Sequence, residues 1–125
     1  MKHTDLTTKI IGAAIDVHTA LGPGLFEHVY KECLAYKLNN LGIKAVKEVP
    51  IPLIYEDIKL ECGYRADILV ENEIIIEIKS IERLAPIHFL QIMTYLKLGH
   101  FKLGLLINFN EVLLKSGLRR IVNGY

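Results

Sequence analysis

The stretch Arg65-Ala66-Asp67-Ile68-Leu69-Val70-Glu71-Asn72-Glu73-Ile74-Ile75-Ile76-Glu77-Ile78-Lys79 decides how this chain folds. Its two β-branched runs, separated by three polar residues, read as a pair of adjacent antiparallel strands. Successive strand residues point to opposite faces, so a slip of one residue would reverse every assignment. A loop of odd length centred on Asn72 pairs Val70 with Ile74, Ile68 with Ile76 and Ala66 with Ile78, giving a wholly apolar face to pack under helices. The other face then carries Asp67 opposite Glu77 and Arg65 opposite Lys79. A two-residue loop would mix these charges with the isoleucines, and Asn72 tolerates the backbone conformation that odd loops often need.

In this register the Asp67 and Glu77 Cβ atoms lie roughly 4.5–5.5 Å apart, and like charges directly opposed in a sheet are destabilising. A divalent cation is the simplest compensation, because Mg²⁺ is held through one or two carboxylates and keeps water or phosphate oxygens in its other positions. Lys79, on the same face, can steer a water nucleophile or stabilise charge building on a phosphate. A solvated strand face whose Arg65, Asp67, Glu77 and Lys79 pair diagonally explains the charges equally well on pattern alone.

Outward from the hairpin, residues 5–20 carry apolar side chains at helical spacing, with Thr4 or Asp5 as N-cap. Leu21-Gly22-Pro23-Gly24 ends that helix, and a second runs over residues 25–41 with Gly42 as its stop. Residues 46–55 contain Pro50 and Pro52, which suit an edge strand. Glu56-Asp57 reads as a turn, and a long strand over residues 58–70 has Gly63 as a candidate bulge. Pro86 fits the first turn of a helix reaching about residue 98. Residues 101–109 read as a buried strand and 118–122 as a short final one, while 111–115 are ambiguous between helix and strand. With no repeat or linker, residues 1–125 read as one domain.

Lys and Arg number 15 against 14 Asp and Glu, a net charge of +1, which lacks the basic bias of a protein gripping DNA over a wide surface. Nucleic-acid contact must be local or shared between subunits. Cys33 and Cys62 lack the spacing of a zinc site and read as reduced, buried thiols. No run approaches the ~18 apolar residues of a membrane span, and Met1-Lys2-His3-Thr4-Asp5 lacks the apolar stretch of a secretory signal, so the cytoplasm is the expected compartment.

The run around Asp67, followed by Ile76-Glu77-Ile78-Lys79-Ser80, resembles the signature of the PD-(D/E)XK nuclease superfamily. Gly24-Leu25-Phe26-Glu27-His28-Val29-Tyr30 is similar to the motif of the GxxExxY family within it. The resemblance implies an α/β fold with a restriction-endonuclease-like core: a mixed central sheet flanked by helices in αβββαβ order, with an extra N-terminal helix. It also implies Mg²⁺-dependent hydrolysis of phosphodiester bonds, with Mn²⁺ as substitute. Asp67 and Glu77 then look like metal ligands and Lys79 like the catalytic lysine. Glu27 resembles the additional acid supplied from an early helix; otherwise it is a favourable charge in a helix's first turn. Gln91 and Tyr95 resemble the Gln-x3-Tyr element of RecB-like members, and i, i+4 spacing sets them on one helix face. There they can orient phosphate and stack on a base, or form a polar helix edge. Tyr30 lies on nearly the face of Glu27 and can bond to the site or simply pack. His18 and His88 read as packed or surface residues.

Tyr64-Arg65-Ala66-Asp67 replaces the superfamily's nominal Pro-Asp, and no separate module for reading a substrate accompanies the site. Two functions therefore stand: a metal-dependent nuclease acting on DNA ahead of RNA, or a catalytically inactive nucleic-acid-binding or protein-assembly module retaining the fold. A nucleotide-binding protein is a third reading without a P-loop or Gly-x-Gly-x-x-Gly turn to support it. A homodimer is expected, because cutting both strands of a duplex in concert takes two sites.

Overall fold

The computed structural model describes residues 2–61 and 63–124, and the side chains of residues 4–61 and 63–124. The reading of Cys62 lies outside the described residues. In chain order the elements are α1 (Lys2–Leu21), α2 (Glu27–Asn40), β1 (Ala45–Pro50), β2 (Leu53–Tyr55), β3 (Ile58–Leu60), β4 (Arg65–Val70), β5 (Ile74–Lys79), α3 (Pro86–Gly99), β6 (Leu103–Asn108), a 3₁₀ turn (Leu114–Gly117) and β7 (Leu118–Val122).

Among the described residues, five strands form one sheet in the order β1-β4-β5-β6-β7, and β2 and β3 pair only with each other. β5 and β6 run parallel, joined through α3, while the other neighbours are antiparallel. This is the expected mixed α/β sheet, with the αβββαβ order after an extra helix. One face packs Ile68, Val70, Ile74, Ile76 and Ile78 against α1 and α2; the other packs Leu69, Ile75 and Leu106 against Ile92, Tyr95 and Leu96 of α3. A β-branched run suits β5 because both of its faces are covered.

The hairpin register is the expected one, with Val70 against Ile74 and Ile68 against Ile76. Its three-residue loop places Glu71 and Asn72 at φ 52° and 55°, and the Glu73 amide donates to the Val70 carbonyl at 2.9 Å. Beyond Ile68 and Ile76 the ladder stops. Ala66 accordingly packs on the α3 side instead of joining Ile78, and Arg65 sits opposite Pro50 of β1 instead of Lys79.

Other boundaries also move. α1 begins at Lys2, so Thr4 and Asp5 lie inside it and neither is the cap. α2 starts at Glu27 because the preceding loop is tied down elsewhere, as described below. Gly42, at φ 79°, ends it as expected, with the Ile43 amide donating to the Leu38 carbonyl at 3.0 Å. β1 is an edge strand, as its prolines require, but Pro50 and Pro52 end it and β2 turns out of the main sheet. The long strand over 58–70 is likewise two strands. Gly63, at φ 81°, lies in their connection and not in a bulge. Glu56 and Asp57 make the expected turn, both with positive φ, as a two-residue hairpin requires. The ambiguous segment 111–115 leads into the 3₁₀ turn.

Candidate functional site

The site opens where β4 and β5 part. The amide of Asp67 donates to Glu77 Oε2 at 2.9 Å, and the amide of Ile78 donates to Asp67 Oδ2 at 2.7 Å. Each carboxylate thus caps a backbone group that the interrupted ladder has left without its strand partner. β1 is irregular at the same level. Lys47 pairs with Ile68 and Val49 with Ala66, but Glu48 between them, at φ 57°, makes no pair with Asp67. The central acid therefore sits between two local separations of strands.

Glu77 is only 4% exposed and Asp67 is half-buried. Burial raises the Glu77 pKa to about 8, the neighbouring Asp67 charge adds to the rise, and the Asp67 amide and Lys79 oppose it. Burial also raises the pKa of Asp67, against the Ile78 amide and the Lys31 and Lys79 charges. No ion pair among the described residues joins Asp67 or Glu77 to Arg65 or Lys79. A solvated face of diagonally paired charges does not describe these two acids.

Lys79 ends β5. Its Nζ donates to Gln91 Oε1 at 3.3 Å, and Gln91 Nε2 donates to the Tyr95 hydroxyl at 3.4 Å. The expected helix-face pair thus forms a chain from the lysine to the tyrosine. Burial, then the charges of Glu77 and Asp67, raise the Tyr95 pKa. His88 is neither a bare surface group nor core: its Nδ1 accepts from the Ala85 amide at 2.9 Å across the start of α3. His18, mostly buried, bonds through Nε2 to the Glu111 carbonyl at 2.7 Å, fixing the C-terminal segment to α1 and lying away from the acids.

The Gly24…Glu27…Tyr30 motif has a structural account. Tyr30 is fully buried, stacked on Phe109 with ring centroids 4.5 Å apart. Its hydroxyl donates to the Gly22 carbonyl at 2.5 Å and accepts from the Leu25 amide at 3.1 Å, which shapes a loop where Gly24 takes φ 94°. The Ser80 hydroxyl donates to the Leu25 carbonyl, and the Ser80 amide lies 3.4 Å from Glu27 Oε2. Tyr30 therefore packs and holds the loop, while Glu27 is delivered to the end of β5, exposed and beside the acids.

Two residues outside the expected set belong to this neighbourhood. Lys31, one turn after Glu27, lines a cleft of about 140 Å³ with Glu27, His28 and Asp67, and its ammonium pairs with Glu48. Helical spacing from Glu27 was the available signal. Asn108, opposite Lys79 on β6 and fully buried, accepts from the Ile81 and Asn110 amides and donates to the Ile81 carbonyl at 2.9 Å. It fixes the chain just after Lys79 and Ser80. An Asn ending an apolar strand carries no signal of that role.

The donor set fits a hard cation. Two carboxylates face each other in a buried gap, each disfavoured in its charged form, and one amide contact leaves a carboxylate further lone pairs to offer. Glu27 borders the same cleft as Asp67, but among the described residues no three His, Cys, Asp or Glu side chains converge as a finished ligand set. A cation held by these two acids, with Glu27 at the edge of the cleft, would keep several of its waters.

A family model described as the PD-(D/E)XK nuclease superfamily matches residues 4–121. No curated protein and no solved structure matches the chain.

Proposed function

From the chain's membership of the PD-(D/E)XK nuclease superfamily, matched over residues 4–121, we infer that it is a divalent-metal-dependent nuclease acting through Asp67, Glu77 and Lys79. The observation that carries the reading is the pair of opposed carboxylates, Glu77 buried and Asp67 half-buried, both with raised pKa values, at the mouth of the β4–β5 gap. A bound Mg²⁺ or Mn²⁺ would supply Lewis acidity toward a phosphoryl oxygen. Asp67 and Glu77 would hold it directly, and Glu27 directly or through water. The Lys79 ammonium, held by Gln91, orients the attacking water or stabilises negative charge on the phosphate. Gln91 and Tyr95 place further donors along α3 for the strand's phosphates.

The substrate is nucleic acid, DNA ahead of RNA, bound by residues 1–125 acting as one domain. The Gly24…Glu27…Tyr30 arrangement supports the GxxExxY assignment, since each of the three has a distinct part in delivering an acid to β5. Among the described residues no helix is long and apolar enough to cross a membrane. The free thiol of Cys33 suits a reducing compartment such as the cytoplasm. A homodimer would supply the two sites that concerted duplex cleavage needs; one copy suffices for a single strand.

One observation favours the other reading. Both acids already accept backbone amides, and no three-donor set is assembled, as suits a non-catalytic nucleic-acid-binding or protein-assembly module that keeps the fold. The deciding experiment is incubation with single-stranded, duplex and branched substrates in Mg²⁺ or Mn²⁺, beside Glu77→Ala and Lys79→Ala. Cation-dependent cleavage lost in both variants supports the nuclease; equal cleavage by the variants assigns it to a contaminant and leaves the binding module.

A further inference from the structure

Next to the acids lies a second cavity, of about 460 Å³, lined by the β2 residue Leu53, by Tyr64, by Lys79 and by one side of α3 from Ile87 to Leu98. That volume falls in the range of pockets enclosing small organic ligands, about 300–1,000 Å³. Its composition is distinctive. The Tyr64 and Tyr95 rings lie 6.1 Å apart, tilted at 47°, and Leu53, Ile87 and Leu98 complete an apolar wall. Tyr64 is 45% exposed and Ile87 65%, so the apolar surface faces outward.

The polar groups of this cavity are equally specific. The Ala85 amide donates to His88 Nδ1, and an amide can only donate, so in this bond Nδ1 is the bare nitrogen and Nε2 carries the ring's hydrogen. His88 thus brings a fixed donor to the wall. Lys79, which ends the strand carrying Glu77, and Gln91 line the same cavity, and Tyr95 in its wall feels the charges of Glu77 and Asp67, so the cavity adjoins the acids. A flat, aromatic ligand with hydrogen-bond acceptors at its edge, joined to a phosphate near Lys79, matches this arrangement. Those are the properties of a nucleobase on its own strand.

We propose that this cavity captures an unpaired nucleobase next to the phosphate at the Asp67–Glu77 site, stacking it on Tyr64 and reading its edge through His88, so that the protein selects single-stranded over duplex nucleic acid. A base inside a duplex cannot reach a recess walled by the β2–β3 hairpin and α3 without leaving its stack, and that cost is least for a strand already unpaired. The near-neutral net charge of +1 agrees, because affinity then comes from stacking at one recess and not from a broad basic surface. This inference rests on the nucleic-acid reading of the site but not on hydrolysis.

The test uses the full chain without divalent cation, so that no strand is cut, and an oligonucleotide carrying one 2-aminopurine, either alone or annealed to its complement. The expected result is a fluorescence change with the single strand and at least about tenfold weaker binding to the duplex. Tyr64→Ala should weaken single-strand binding by roughly tenfold, and Tyr64→Phe, which keeps the ring, should restore it. Tyr64 is exposed enough for both variants to fold, which circular dichroism would verify. Equal affinity for strand and duplex, or unchanged binding by Tyr64→Ala, overturns the proposal whatever cleavage shows. Retained single-strand capture by a protein that cuts nothing would instead overturn the hydrolytic reading and leave this one standing.

Discussion

Glu77 accepts the backbone amide of Asp67 at 2.9 Å, so the two acids are linked through main chain as well as by repulsion. The bond holds both carboxylates in a gap that burial would otherwise empty of charge. Its consequence is a site whose ionisation, stability and cation affinity are coupled.

The coupling fixes a pH dependence. Glu77 has a folded pKa of about 8 against a usual 4.5, so the folded state binds the proton more tightly than the unfolded one. Stability from this group is complete below pH 4.5 and is lost as pH rises through about 8. Thermal unfolding without divalent cation should show Tm falling between pH 5.5 and 8.5. Glu77→Gln, which cannot ionise, should flatten that slope and raise Tm at the alkaline end. An unchanged slope in the variant would remove Glu77 as its source.

Cation binding should run the other way. Coordination requires both acids ionised, so Mg²⁺ uptake releases protons and tightens as pH rises toward 8 and beyond. Calorimetry in two buffers of different ionisation enthalpy would detect the release. Mg²⁺ at about 100 times its Kd should stabilise the protein by about 2.7 kcal/mol, and Asp67→Asn should abolish that gain. A Tm indifferent to Mg²⁺ and Mn²⁺ would favour the binding module.

Lys79 and Gln91 should separate kinetically. Lys79→Ala removes a charge next to the reacting phosphate and should lower kcat by about 10²–10³, the usual effect of losing one donor to a transition state. Gln91→Ala leaves the ammonium in place without its 3.3 Å acceptor, so a smaller loss is expected. Lys31→Met should raise KM more than it lowers kcat, since Lys31 sits in the cleft beside Asp67 but is paired with Glu48. Initial rates at several substrate concentrations distinguish the three.

Much of this was legible because β4 and β5 obey strong local rules. Seven β-branched or leucine positions, all buried, a three-residue turn and a charge opposite a charge specify register without outside help, and Ile68, Leu69 and Val70 pair with Ile76, Ile75 and Ile74 as expected. What lay beyond reach were effects set by neighbours. The ladder stops at the level of Asp67 and Glu77, and Ala66 beyond it packs on the other face; no periodicity in β4 announces that. The hairpin β2–β3 leaves the sheet because Pro50 and Pro52 end β1, and the prolines were visible while the direction of departure was not. Lys31 and Asn108 acquire their places from α2 docking and from the β5–β6 register, both tertiary facts.

Asn108 offers a test of how the end of β5 is held. Asn108→Ala deletes the acceptor of the Ile81 and Asn110 amides in a fully buried position. Leaving such groups unpaired costs about 1–3 kcal/mol for each, so urea unfolding should show a loss of several kcal/mol. Asn108→Asp keeps the acceptor but buries a charge and should also be destabilising, increasingly so as pH rises. A variant as stable as the parent would mean that water replaces the side chain.

The Tyr30 hydroxyl provides the sharpest separation of holding a loop from taking part in chemistry. Tyr30→Phe keeps the ring stacked on Phe109 but removes the donor to the Gly22 carbonyl and the acceptor of the Leu25 amide. The loss in stability should be about 1–3 kcal/mol, because the hydroxyl joins two backbone groups of a partly buried loop. Glu27 follows Leu25 of that loop by two residues, and its carboxylate meets the Ser80 amide just after β5, so loosening the loop should also weaken the third acid's contribution. Cation affinity should therefore fall in Tyr30→Phe by no more than it falls in Glu27→Gln, and the double variant should lose no more than the larger single effect. Full additivity in that cycle would show that the tyrosine acts on the site by a route other than Glu27.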